Sequence, residues 1–141
     1  MSSKELEVAQ ACARRMWADD RASREMGIEL GKVTPGEASL HLVIKPRMLN
    51  GHGVCHGGLI FALADTAFAF ACNSFNRRSI AMHCSVSFIE KVKAGTRLTA
   101  HARERVQYGR NGIFDVKVKD DEGTTVAEFR GHSRTIGGAW V

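Results

Sequence analysis

Apolar residues along this chain recur with two different periods, and the switches between them mark out its elements. Over residues 4 to 18, Leu6, Val8, Ala9, Cys12, Ala13 and Met16 fall at helical spacing with charges between them. This predicts a short amphipathic helix on the outside of the core. From Gly27 to Ile44 the pattern becomes two short strands, Ile28 to Val33 and Ala38 to Ile44, separated by Pro35-Gly36, a dipeptide suited to a turn. Leu40, Leu42 and Ile44 alternate with His41 and Val43, so a hairpin is the simplest reading.

Pro46 to Gly58 then forms a loop with four glycines and two histidines, followed by LIFALADTAFAFAC, which is apolar on every side. A helix of that kind must be buried. After a polar turn around Asn76 to Arg78, alternation returns: Ile80, Met82, Cys84, Val86 and Phe88 share one face, and Ser79, His83, Ser85 and Ser87 the other. Three more strands are predicted, about Arg97 to Val106, Ile113 to Lys119 and Thr124 to Thr135. Their inward residues are read as Leu98, Ala100 and Ala102 in the first and Phe114, Val116 and Val118 in the second. Ala94-Gly95, Gly109 to Gly112 and Asp120 to Gly123 supply turn residues, and the short spacings favour antiparallel neighbours. The expected class is α+β: one antiparallel sheet covering one all-apolar helix, as a single domain over residues 1 to 141.

Composition adds exclusions. With 141 residues, 44% hydrophobic and 25% charged, the chain can bury a core, so disorder is excluded. The longest apolar stretch, Leu59 to Cys72, is interrupted by Asp65 and Thr66 and falls short of the roughly 20 residues a bilayer crossing needs. Lys4, Glu5, Glu7, Arg14 and Arg15 interrupt the N-terminus, which therefore lacks the apolar run of a secretory signal and predicts a cytoplasmic protein. Cys12, Cys55, Cys72 and Cys84 have no regular spacing and are read as reduced. The net charge of +5 is spread along the chain and Tyr108 is the only tyrosine, which argues against a nucleic-acid partner.

Candidate chemistry lies between Asn50 and Asn73. Asn50, His52, Cys55 and His56 occupy a loop ending at Gly57-Gly58, just before the buried helix. A helix start carries unpaired N–H groups and positive partial charge, and glycine there lets a substrate oxygen approach, as an oxyanion hole requires. Asp65 sits mid-helix among apolar residues, where an ionised carboxylate is costly unless paired, hydrated or functional. A satisfied structural carboxylate remains the plain alternative. Eight residues separate Asp65 from Gly57, about 12 Å along a helix, too far for both to act on one carbonyl. Two chains with antiparallel central helices would bring the helix start of one to the Asp of the other. A zinc site from His52, Cys55 and His56 with His83 or Cys84 is a weaker reading, since HxxCH lacks a second half. The Gly109-Arg110-Asn111-Gly112 turn lacks the strand-to-helix setting of a phosphate loop and reads as a hairpin turn.

The segment MLNGHGVCHGGLIFALADTAFAFACNS, and FRGHSRTIGG near the end, resemble the PaaI-type hotdog-fold thioesterases of phenylacetic acid degradation, and the resemblance covers nearly the whole chain. It implies a hotdog fold and hydrolysis of acyl-CoA thioesters, with phenylacetyl and ring-hydroxylated derivatives as acyl groups, and no metal or other cofactor. By position it makes Asp65 the catalytic carboxylate, as general base or as nucleophile, and Gly57 the backbone N–H donor. Asn50 and His56 become loop residues that hold the substrate or that N–H in place. It also implies homodimers with shared sites, and homotetramers built from them. Related enzymes carry a water-orienting Ser on the strand after the helix, where this sequence has Ala81, with Ser79 two residues earlier on the same face; that leaves Asp65 alone, Thr66 or a backbone group to hold the water, a role left unassigned. For the anionic CoA tail, the candidates are Arg110 and Asn111 in the turn, Lys91 and Lys93 after the long strand, and Arg134. Two rival functions stay open: a hotdog-fold hydratase or dehydratase using His56 with Asp65, and a non-catalytic acyl-CoA binding protein.

Overall fold

The computed structural model describes residues 1–141. In chain order the elements are α1 (Ser3–Asp19), α2 (Arg21–Met26), β1 (Glu29–Thr34), β2 (Glu37–Val43), α3 (Gly57–Cys72), β3 (Ser79–Phe88), β4 (Arg97–Tyr108), β5 (Asn111–Lys119) and β6 (Thr125–Thr135). The Ser2 side chain accepts from the Glu5 N–H while Glu5 reaches back to Ser2, a capping box that starts α1. The helix buries Ala9, Cys12 and Ala13, and Trp17 meets Phe70 edge-on. The short helix α2 is absent from the sequence expectation although its punctuation is present. Asp20 accepts from the Ser23 N–H at its start, and Gly27, at φ 91°, ends it.

The sheet runs β1-β2-β4-β5-β6-β3, with every neighbouring pair antiparallel. One expectation is corrected here. β3 and β4 follow one another through a short connection but are not neighbours, because β4 pairs with β2 and β3 lies beyond β6. The reason is α3, which must lie across the middle of the sheet to bury its sides and so delivers β3 to the far edge. Ile60, Leu63, Ala64, Ala67, Phe68, Phe70 and Ala71 of α3 pack with Leu40, Leu42, Leu98, Ala100, Ala102, Phe114, Val116, Val118 and Phe129 of the sheet. Each large apolar side chain fully buried in this way contributes about 1.5–3 kcal/mol. Small residues let the layers close: a Cβ on Gly131 would stand 2.8 Å from the Phe68 ring.

β3 departs from its expected alternation. Its pairing with β6 slips between Ala81 and His83, so Met82 is a bulge residue and the strand does not keep one apolar face. Cys84, Val86 and Phe88 oppose Gly131, Phe129 and Ala127, which are buried under α3. Ile80 instead shares the outer side with His83, whose ring meets that of His132. As an edge strand β3 leaves Ile80, Met82 and Phe88 about half exposed, at 48%, 54% and 54%. No helix is long and apolar enough to cross a membrane.

Candidate active site

The loop before α3 is closed by its own backbone and by Asn50. The Asn50 Oδ1 accepts from the N–H of His52 at 2.9 Å and of Val54 at 3.4 Å, while its N–H donates to the Val54 carbonyl at 2.8 Å. Cys55 and His56 then anchor the chain through N–H donations to the Val92 and Met48 carbonyls. His56 is the N-cap of α3: its Nδ1 accepts from the Gly58 N–H at 2.9 Å and its carbonyl from the Leu59 N–H at 3.0 Å. The caps therefore engage the second and third amides. Gly57, the first helical residue, has no acceptor for its N–H within the helix, and that group lies where the helix dipole is most positive.

The Phe88 ring covers Gly57 closely enough that an added Cβ would lie 3.1 Å from it. Val54, Gly57, Ile60, Phe88, Lys91 and Val92 help line a cavity of about 350 Å³ at this helix start. A larger depression of about 510 Å³ lies among Glu37, Thr99, His101, Arg103, Arg105 and Asp115. It opens on the sheet face away from α3, and no helix start borders it.

Asp65 faces β3. Its one side-chain hydrogen bond comes from the Cys84 Sγ, 3.8 Å from Oδ1. Burial pushes the carboxyl up from its usual range, and the thiol contact draws it partly back. Burial and the adjacent Asp65 charge push the Cys84 thiol up to about 11 and the Cys72 thiol up to about 12. Thus Gly57 meets β3 at Phe88 and Asp65 meets it at Cys84. The four-residue step along the strand, about 13 Å, agrees with the helical separation of about 12 Å, so within one chain the two groups stay apart. Gly58, Phe61, Ala62, Asp65 and Ala69, at helical spacing, form the stripe of α3 that the chain's own sheet leaves partly uncovered.

Other sequence candidates separate. The Thr66 hydroxyl donates to the Ala62 carbonyl at 2.7 Å and faces Ser23 of α2, which takes it away from Asp65 and removes it as a water holder. Arg110, Asn111 and Arg134 come together, because Asn111 pairs with Arg134 and the Thr135 N–H donates to the Arg110 carbonyl. Lys91 and Lys93 flank buried Val92 near Gly57. The two groups lie at opposite ends of β3, about 25 Å apart along the strand. No three His, Cys, Asp or Glu side chains converge in a way that could hold a metal ion. Alternation places Cys84 and Phe88 on the apolar face of β3, but their contacts with Asp65 and Gly57 were not legible in the sequence, since these depend on how α3 lies against the edge strand.

A central helix wrapped by an antiparallel sheet, with an open amide at its start and a carboxylate at its middle, is the architecture of a hotdog-fold protein. The chain belongs to the thioesterase superfamily, whose family pattern matches residues 52–127. It is 40% identical over 126 residues to the acyl-coenzyme A thioesterase PaaI of Escherichia coli, covering 89% of this chain and 90% of that one. The solved structure of the E. coli PaaI protein from the phenylacetic acid degradation operon superimposes with a TM-score of 0.93 at 39% identity, over 95% and 97% of the two chains. A mutant form of the phenylacetic acid degradation protein PaaI from Thermus thermophilus gives a TM-score of 0.80 at 32% identity, over 83% of this chain and 100% of that one.

Proposed function

We propose that this chain hydrolyses acyl-CoA thioesters to free acid and CoA, with phenylacetyl-type acyl groups as the preferred substrates, in a homodimer whose sites are shared. The observation that carries the reading is Asp65, a half-buried carboxylate in an otherwise apolar helix, facing an edge strand with no neighbour on its outer side. The E. coli relative's name supports the reaction, and its operon supports the acyl group.

In this mechanism the thioester carbonyl oxygen accepts from the Gly57 N–H of one protomer, and Asp65 of its partner removes a proton from the attacking water. The tetrahedral intermediate collapses by breaking the C–S bond, and the leaving thiolate takes the proton from Asp65. Burial suits Asp65 to this role, because a raised proton affinity makes it a better base than a free carboxylate. Asn50 and His56 act by holding the loop and the first helical turn. The uncovered α3 stripe and the exposed Ile80, Met82 and Phe88 of β3 support burial against a second copy. Antiparallel pairing of two such edges would carry Arg110, Asn111 and Arg134 of one protomer to Lys91 and Lys93 of the other. That joins two half-sites into one anionic-tail site at the mouth of each active centre.

A turnover screen over phenylacetyl-, benzoyl- and straight-chain acyl-CoA, followed by thiol release, tests the reading. The expected result is CoA liberation fastest with aryl-acetyl esters. A changed acyl chain without thiol release would mean hydratase or dehydratase chemistry, and tight binding without either would mean a binding protein. Replacing Lys91 and Lys93, or Arg110 and Arg134, with Ala should raise KM for CoA esters several-fold, more at low salt, with a smaller fall in kcat. Equal KM values for a CoA ester and a short pantetheine ester would remove the tail site from this picture.

A further inference from the structure

We propose that Cys84 is the positioning residue for Asp65: its S–H, donated to Oδ1, fixes the carboxylate so that Oδ2 is presented to the attacking water. This rests on the reading of Asp65 as the base of a thioesterase. Nothing else in the chain performs the task. The inward positions of β2, β4 and β5 are Ala38, Leu40, Leu42, Leu98, Ala100, Ala102, Phe114, Val116 and Val118, all buried and apolar. β6 supplies Ala127, Phe129, Gly131 and Ser133, and Ser133 bonds to the Gly112 carbonyl. Ser23 of α2 is engaged with Asp20 and Thr66. On α3 itself, the Cys72 S–H goes to the Ala69 carbonyl. Cys84 and Cys72 are therefore the titratable groups around Asp65, and Cys84 alone is aimed at it.

A thiol suits this position chemically. Held near 11 by burial and by the Asp65 charge, it remains a donor throughout the working range, with a thiolate fraction near neutrality of about one in 10⁴. It therefore does not compete with water for the thioester. Cys84 faces inward with Val86 and Phe88, opposite Gly131, where the absent side chain leaves room for α3 to approach.

The test compares wild type, Cys84→Ala and Cys84→Ser in the full chain, with the best aryl-acetyl-CoA substrate and melting temperatures recorded. Cys84→Ala should move the acid limb of kcat/KM to higher pH and lower kcat about 3- to 10-fold with little change in KM, the scale of one ordinary hydrogen bond, as suits a weak thiol donor. Cys84→Ser keeps a donor, and should return the limb to the wild-type position or below and recover kcat to within about threefold. Identical acid limbs in all three proteins, or a well-folded Ser variant that behaves like Ala, would overturn the proposal. Should both variants unfold, the infrared S–H stretch decides in the wild-type background: a band that moves on Asp65→Asn supports the contact, and an unmoved band refutes it. Asp65→Asn is also the control for the underlying reading. Full turnover by that variant would remove the base itself, whereas an inactive Asp65→Asn with unshifted Cys84 limbs defeats only the positioning role.

Discussion

Asp65→Asn should lower kcat by about 10²- to 10⁴-fold, the range general-base catalysis supplies, while the protein melts no earlier than wild type. The second half of that expectation comes from the carboxyl's environment. Its folded pKa is raised by burial, so the native state disfavours the ionised form. The associated stability is fully present below the ordinary unfolded carboxyl pKa and is lost as pH rises through the higher folded value. At neutral pH an ionised Asp65 therefore weakens the fold, and the amide relieves that burden. Loss of activity with a melting temperature equal to or above wild type is the signature of a group kept for chemistry against stability. The wild-type kcat/KM should accordingly fall on the acid side at a pH above the ordinary carboxylate range of about 3.9 to 4.3. Near-normal kcat in folded Asp65→Asn would remove the carboxylate from the mechanism.

Gly57→Pro should cost about 10²- to 10³-fold in kcat, as expected when one oxyanion donor is lost, and activity should return on mixing with Asp65→Asn chains. Proline suits this position. The first helical residue tolerates its φ and makes no intrahelical bond through its N–H, and His56 before it is already extended at ψ 130°. The added ring must displace Phe88, which stands 3.1 Å from the place a Cβ would take. Gly57→Ala, which keeps the N–H but adds the Cβ, isolates that steric effect and should lose far less. In heterodimers of the two dead variants, one of the two shared sites receives a wild-type Gly57 from one chain and a wild-type Asp65 from the other. Reappearing activity is the expected outcome, approaching half of one wild-type dimer for each heterodimer. Heterodimers that form yet remain inactive would show that each site is built within one chain.

Local patterning was enough for much of the architecture. The alternation Leu98-Ala100-Ala102 and Phe114-Val116-Val118 marks residues that are indeed buried at 0–1%. The run from Leu59 to Cys72 is the core helix, begun two residues earlier at Gly57 because His56 caps it. Such signals are legible because side-chain period follows backbone geometry within a few residues. α2 escaped because six residues carry too little periodicity to announce a helix, although Asp20 and Gly27 punctuate it. In β3 the alternation holds for Cys84, Val86 and Phe88 and fails for Ile80 and Met82, because a bulge is one extra residue in a pairing with a strand far along the chain, and alternation on one strand holds no record of its partner's register.

The site divides the same way. From the sequence alone came an acid where no acid should be buried, a glycine at a helix start, and their separation of eight residues, since composition and helical rise are properties of one segment. Only the tertiary structure decided what surrounds them. It set Cys84 against Asp65 and Phe88 over Gly57, turned Thr66 away toward α2, and parted Lys91 and Lys93 from Arg110, Asn111 and Arg134. The physical reason is that contacts between elements depend on which strand ends at which edge. That is settled by where an all-apolar helix can bury its sides, a competition across the whole sheet that no local stretch encodes.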